Sequence, residues 1–303
     1  MTPNQTGALL MIGAMAAYTF NDALVKLIGS ALPLPQILTL RGIAASFLIY
    51  LLARRMGGLC FRLPPRAWGM ISLRCAGEVS ATYLFLTALM RMPIANVTAV
   101  LQVLPLAVTL SAALFLREPL GWRRMAAIAA GFCGMLLIVR PGPEGFSEGA
   151  LYALASVACI TARDLVTRRM PPEVPSITVT LASSLSVLGF GIAMSAAVPW
   201  QPVTGEDLLI LGGAALFIFG GYLCSVMTMR VGEIAVIAPL RYSGLLWALL
   251  LGWLVFGEWP DLLTLAGAAV VAGAGIFTFY RERQISRRNR STAARIPRAH
   301  GRP

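Results

Sequence analysis

The sequence predicts an all-α integral membrane protein of ten transmembrane helices arranged as two inverted five-helix repeats, and three observations predict it. Apolar residues make up 57% of the 303, charged residues only 13%, and the mean hydropathy is +0.75. A soluble domain carries about 25% charged residues, so a chain this apolar cannot cover a water-facing surface. The apolar residues fall in continuous runs of about 20, the length a helix needs to cross roughly 30 Å of hydrocarbon. The runs do not alternate, which excludes a barrel and leaves helices to satisfy the backbone in lipid. Third, the chain resembles itself at an offset near 140.

The elements follow in order. The first span, 7–27, lacks the basic leading region of a secretory signal and is expected to be retained. Leu32-Pro33-Leu34-Pro35 separates it from the second, 36–53, and Leu63-Pro64-Pro65 precedes the third, 67–90, which carries Arg74 and Glu78. The fourth, 94–116, contains Pro105, where a missing backbone donor frees a carbonyl near Leu101 and bends the helix. The fifth, 121–140, has small residues at four-residue spacing, Ala126, Ala130 and Gly134, which permit close helix approach. Pro141-Gly142-Pro143 closes the first half. The sixth span is 149–168, ended by Pro171-Pro172, and the seventh is 176–198, ended by Pro199-Trp200-Gln201-Pro202. The eighth is 207–229. The ninth, 233–256, carries Pro239 early, and the tenth, 261–280, again has small residues at Ala269 and Gly273.

The repeat units are 7–140 and 149–281, followed by a basic tail, 282–303. Gly7-Ala8-Leu9 matches Gly149-Ala150-Leu151, and Asp22-Ala23-Leu24-Val25-Lys26 matches Asp164-Leu165-Val166-Thr167-Arg168, both at an offset of 142. Five spans per half is an odd number, so the halves must face opposite ways. Such inverted repeats are a signature of secondary transporters, with the solute held near the midplane between them. Arg54, Arg55, Arg62, Arg66, Arg117, Arg123, Arg124, Arg168, Arg169 and Arg230 fall in loops on one side, with eight tail arginines from Arg281 to Arg302. The other side has Lys26, Arg91 and Arg140. The positive-inside rule then places both termini in the cytoplasm of a cell with an inner membrane, where the tail would meet anionic lipid headgroups.

The net charge of +12 is thus distributed over loops and tail, not as a basic patch interleaved with aromatics, and no nucleic-acid partner is expected. His300 is the one histidine, and Cys60, Cys75, Cys133, Cys159 and Cys224 form no C-x-x-C pair, so neither metal nor cofactor is expected. Gly220-Gly221 lacks the Lys-Ser/Thr of a phosphate-binding loop. Dispersed acidic residues and no histidine in a span argue against an enzyme.

A charge at the bilayer centre costs ~2.5–3.5 kcal/mol on insertion scales, so each one needs a reason. Glu78 and Arg74 lie one turn apart and can pair. Arg41 and Arg241, each about two turns into a span, can attract an anionic group or neutralise Glu78. Asp22 and Asp164 occupy equivalent repeat positions and suit structural pairing. The substrate-binding candidates are Tyr18, Asn21, Glu78, Tyr83, Gln102, Tyr222, Arg241, Tyr242 and Trp247, a set suited to a flat, partly polar solute.

Leu114-Phe115-Leu116-Arg117-Glu118-Pro119 aligns with Leu254-Val255-Phe256-Gly257-Glu258-Trp259, and each is followed by a Gly-rich helix. With Leu40-Arg41-Gly42 and the five-plus-five plan, these elements resemble the EamA family of the drug/metabolite transporter superfamily, most closely the branch that includes riboflavin and S-adenosylmethionine carriers. The resemblance implies an alternating-access carrier of a small organic metabolite, first a riboflavin-type vitamin taken up. Export of amino acids, S-adenosylmethionine or drugs is the alternative, and a lipid enzyme or structural subunit is the alternative from another class. It also implies that Glu118 and Glu258 organise the turn into the next helix. The carrier is expected as a monomer or homodimer.

Overall fold

The structure, a computed structural model, describes residues 3–56, 59–116, 121–140, 147–171, 173–231 and 237–295. Proline sets several helix starts, because its fixed φ suits the first turn and its missing donor is not needed there. The helices are α1 (Pro3–Ile28), α2 (Leu34–Met56), α3 (Pro65–Arg91), α4 (Ile94–Leu101), α5 (Leu104–Leu116) and α6 (Trp122–Val139). In the second half come α7 (Glu148–Arg168), α8 (Ser176–Ser195), α9 (Gly205–Val231), a 3-10 turn (Ala238–Tyr242), α10 (Ser243–Phe256) and α11 (Leu262–Arg295). Counting α4 with α5, and Pro239–Tyr242 with α10, nine helical stretches among the described residues are long and apolar enough to cross a membrane. α3 is as long, at 27 residues, but Arg74 and Glu78 lower its hydropathy. Leu9, Phe47, Leu73, Leu114, Leu209 and Leu254 stand exposed on the outside of the bundle, as lipid contact requires. This is a multi-pass membrane protein. α11 continues past its apolar stretch, Leu262–Arg281, into the basic tail.

Helices from the two halves pack in pairs: α1 on α9, α3 on α7, α2 on α8, α6 on α11, and α4 on α10. Number the spans one to ten, with α4–α5 as the fourth and the 3-10 turn plus α10 as the ninth. Exchanging the halves then swaps the α1–α9 pair with the α3–α7 pair and returns each of the other three pairs to itself.

The fourth and ninth spans are both interrupted. Pro105 cannot donate to Leu101, and the fourth span breaks at Gln102–Val103. The ninth enters through the 3-10 turn that holds Pro239. The two breaks touch. Tyr242 Oη donates to the Gln102 carbonyl and Gln102 Nε2 to the Arg241 carbonyl, both at 3.5 Å. Irregular backbone at membrane depth is tolerated where protein supplies such partners. Tyr242 fits because α11 offers Gly275, where a Cβ would lie 1.5 Å from the tyrosine oxygen.

α6 and α11 meet at Gly134 and Gly267. A Cβ at Gly267 would sit 2.5 Å from the Gly134 carbonyl oxygen and 2.8 Å from Ile138 Cγ1. The expected contact at Gly273 is not made, because nothing lies within 4 Å of its Cβ position. There the helices splay into a shallow apolar groove beside Ala126 and Ala130. Gly267→Ala gains up to about 1 kcal/mol of helix propensity, yet the overlap is with backbone and cannot be relieved by a rotamer. A net loss of about 1–3 kcal/mol is expected, read as a lower thermal midpoint of the detergent-purified protein.

Candidate functional site

A cavity of about 480 Å³ lies between helices of the two halves, and its two principal walls differ in chemistry. α3 and α7 supply the charged wall. Glu78 sits one turn after Arg74, whose Nη1 is 3.3 Å from Glu78 Oε2. Arg163 Nη1 donates to both Glu78 oxygens, at 3.1 and 3.0 Å, and its Nε donates to Asp164 at 3.0 Å. Arg74 also donates to Ser183 Oγ and, at 3.0 Å, to Thr167 Oγ1. Gly77 makes the arrangement possible, since a Cβ there would come within 3.1 Å of Arg163 Cβ. The Arg74, Glu78 and Arg163 side chains are only 17–23% exposed.

α1 and α9 supply an aromatic wall. Tyr18 lies against Gly221, whose Cβ position is 2.8 Å from the ring, and its hydroxyl pairs with Ser225. Tyr222 and Thr180 share a hydrogen bond of 2.9 Å. Arg41, from α2, lines the cavity between the walls. Its Nη1 donates to Asn21 Oδ1 at 3.0 Å, and Asn21 in turn donates to Asp22 at 2.9 Å. Arg241, on the 3-10 turn, is exposed to the cavity and has no ion pair among the described residues.

Of the nine residues chosen from sequence, Tyr18, Glu78, Tyr222 and Arg241 line the cavity. Asn21 is 1% exposed and stands behind Arg41. Tyr83 packs edge-on against Phe190, 5.8 Å between centroids, and Trp247 lies near Phe20 at 6.3 Å. Gln102 and Tyr242 join the two broken spans. These last four are not among the lining residues. Arg163 is a wall residue outside the nine candidates, although it is a charge inside a span and the repeat equivalent of Asn21.

The lining residues come from the middle of α3, the first half of α8 and the second halves of α7 and α9, which sets the cavity toward the end of the bundle that carries the N-terminus. At the opposite end, polar contacts tie the halves together. Lys26 Nζ donates to Glu258 at 2.8 and 3.1 Å and to the Met92 carbonyl at 2.9 Å. Gln36 and the Gln201 backbone exchange two bonds of 2.9 Å. Arg91 pairs with Glu148 and Arg140 with Asp261. The Thr264 N–H and then Arg140 hold the exposed Asp261 carboxyl below the usual carboxylate range.

Glu258 therefore does more than shape its own turn. Gly257, at φ +63°, makes that turn, with the Glu258 N–H reaching the Gly252 carbonyl at 2.8 Å. The Glu258 carboxylate crosses to Lys26 and to the Ile94 N–H at 3.2 Å, at the positive end of α4. Glu118 lies outside the described residues.

The EamA-like transporter family model matches residues 5–140 and 147–280. A riboflavin transporter of Rhizobium johnstonii is 32% identical over 67% of this chain and 68% of its own length. An S-adenosylmethionine uptake transporter of Rickettsia felis is 26% identical over 66% and 68%. A pseudopaline exporter of Pseudomonas aeruginosa is 26% identical over 90% and 95%.

Proposed function

This chain belongs to the EamA-like transporter family, and from that premise we propose that it is a secondary transporter carrying a small organic metabolite across a bacterial-type inner membrane. Two oppositely oriented five-helix halves, 7–140 and 149–281, rock about the cavity, with both termini cytoplasmic and the basic tail against anionic headgroups. A riboflavin-type uptake reaction is the first choice of substrate and direction. The riboflavin transporter favours a vitamin-like solute, the S-adenosylmethionine uptake transporter favours uptake of a small metabolite, and the pseudopaline exporter favours the second reading, export through the same cavity.

The observation that carries the proposal is the cavity shared between paired helices of both halves toward one end of the bundle, with contacts such as Lys26–Glu258 joining the halves at the other end. A carrier needs a site that each half can uncover in turn, and two end seals that are never open together. The solute shifts the populations only by its difference in affinity for the two states. Radiolabelled riboflavin uptake into proteoliposomes containing the full chain is expected to exceed that of protein-free vesicles and to saturate. Absence of flux for riboflavin and for a panel of amino acids, nucleosides and vitamins would overturn the transport reading.

A further inference from the structure

Three carboxylates, Asp22, Glu78 and Asp164, stand against four guanidiniums, Arg41, Arg74, Arg163 and Arg241, in and immediately behind the cavity wall. The first three arginines are accounted for. Arg163 and Arg74 share Glu78, Arg163 also takes Asp164, and Arg41 is held by Asn21 with Asp22 as its electrostatic partner. Among the described residues Arg241 is the remaining charge, with no ion pair. It stands on the 3-10 turn where the ninth span is broken, with its own carbonyl taken by Gln102 and its guanidinium presented to the cavity.

We propose that the transported solute is an organic anion with a flat apolar portion, its carboxylate or phosphate bound by the Arg241 guanidinium and its ring laid against Tyr18 and Tyr222. The inference rests on the transport reading and moves its first choice of solute from neutral riboflavin to a ring system that carries an anionic group. A guanidinium offers two parallel N–H donors that match a carboxylate or phosphate edge, and an unpaired cation at membrane depth calls for a counter-charge. Ser225 and Thr180 add hydroxyls on the same side of the cavity, next to the two tyrosines. The charged wall cannot serve as the anion site itself, because Glu78 already occupies Arg74 and Arg163. A cationic solute would face the surplus positive charge with no unpaired carboxylate among the lining residues to receive it.

The test uses matched pairs of probes that share a ring system and differ in charge. Riboflavin is set against riboflavin 5′-phosphate, and indole-3-propionamide against indole-3-propionate. Binding to the detergent-purified full chain is read by thermal stabilisation, since a ligand of the folded state raises its apparent stability. The anionic member of at least one pair is expected to bind about tenfold more tightly or better, with a salt-dependent Kd. Arg241→Gln weakens the anionic probe about tenfold more than the neutral one, which removes that preference, whereas Arg241→Lys retains part of it; size-exclusion profiles and ligand-free midpoints check that both variants are folded. Equal binding of both members of each pair, equal weakening of both by Arg241→Gln, or no binding of either anion overturns the inference. If riboflavin flux persists in proteoliposomes without any anion preference, transport stands and only the charge assignment falls. If no solute moves, both fall.

Discussion

Replacing Lys26 by alanine is expected to unlock the end of the molecule opposite the cavity and to lower transport about tenfold or more. The Lys26 ammonium makes three hydrogen bonds there, two to Glu258 and one to the Met92 carbonyl, and the ion-pair side chains are 12% and 27% exposed. Hydrogen bonds to charged groups contribute about 1.5–3 kcal/mol, and 1.4 kcal/mol is a factor of ten in an equilibrium. The loss therefore outweighs any exposed pair on the bundle, whose value is about 0–1 kcal/mol. Arg91–Glu148 and Arg140–Asp261, with side chains 41–79% exposed, belong to that weaker class. The measurement is the reaction of an Ala95→Cys probe, 2% exposed beside Ile94, with an impermeant maleimide, in a background where the five native cysteines are serine. Lys26→Ala and Glu258→Gln should each speed labelling by about tenfold; labelling at the parent rate in both would show that this contact does not hold the end shut.

Arg163→Leu is the second large effect. It strips Glu78 of its two-oxygen partner and leaves Asp164 without its guanidinium. Removing one member of a buried pair costs about 3–5 kcal/mol. With side chains about a fifth exposed and Arg74 still 3.3 Å away, about 2–3 kcal/mol is the expected loss, together with most of the flux. The double variant Arg163→Leu/Glu78→Leu should be more stable than the sum of the two single changes predicts, by about 0.5–3 kcal/mol. Additive losses in thermal unfolding would mean that the two side chains do not depend on each other.

Much of this architecture is legible in the sequence, because its main causes are local. A run of apolar residues bounded by prolines specifies a span without reference to anything distant, and α2, α6 and α8 begin within two residues of where the runs place them. Even α3 is recognisable despite Arg74 and Glu78, because its remaining run is long enough. The break near Pro105 follows from one missing N–H. The partners of the charges are another matter. Lys26 and Glu258 are 232 residues apart, and Glu78 and Arg163 are 85 apart. No periodicity encodes such a meeting; it depends on which helices pair and on small residues such as Gly77 that set how closely they approach. The same reason explains the aromatic candidates. That Tyr83 and Trp247 lie inside spans could be read from sequence, whereas the face each presents is decided by packing against Phe190 and Phe20. Arg163 carried a usable signal, a cation inside a span opposite Asn21 in the repeat, but its value emerges only once α7 is placed on α3.

The proposed alternating access rests on two halves that cross the membrane in opposite directions. Leu27 and Arg169 occupy equivalent positions at the 142-residue offset, and both are exposed. In the serine background, Leu27→Cys should react with an impermeant maleimide added to intact cells, and Arg169→Cys only after the membrane is permeabilised. Reaction of both from the same side would contradict the inverted repeat, and with it the carrier mechanism.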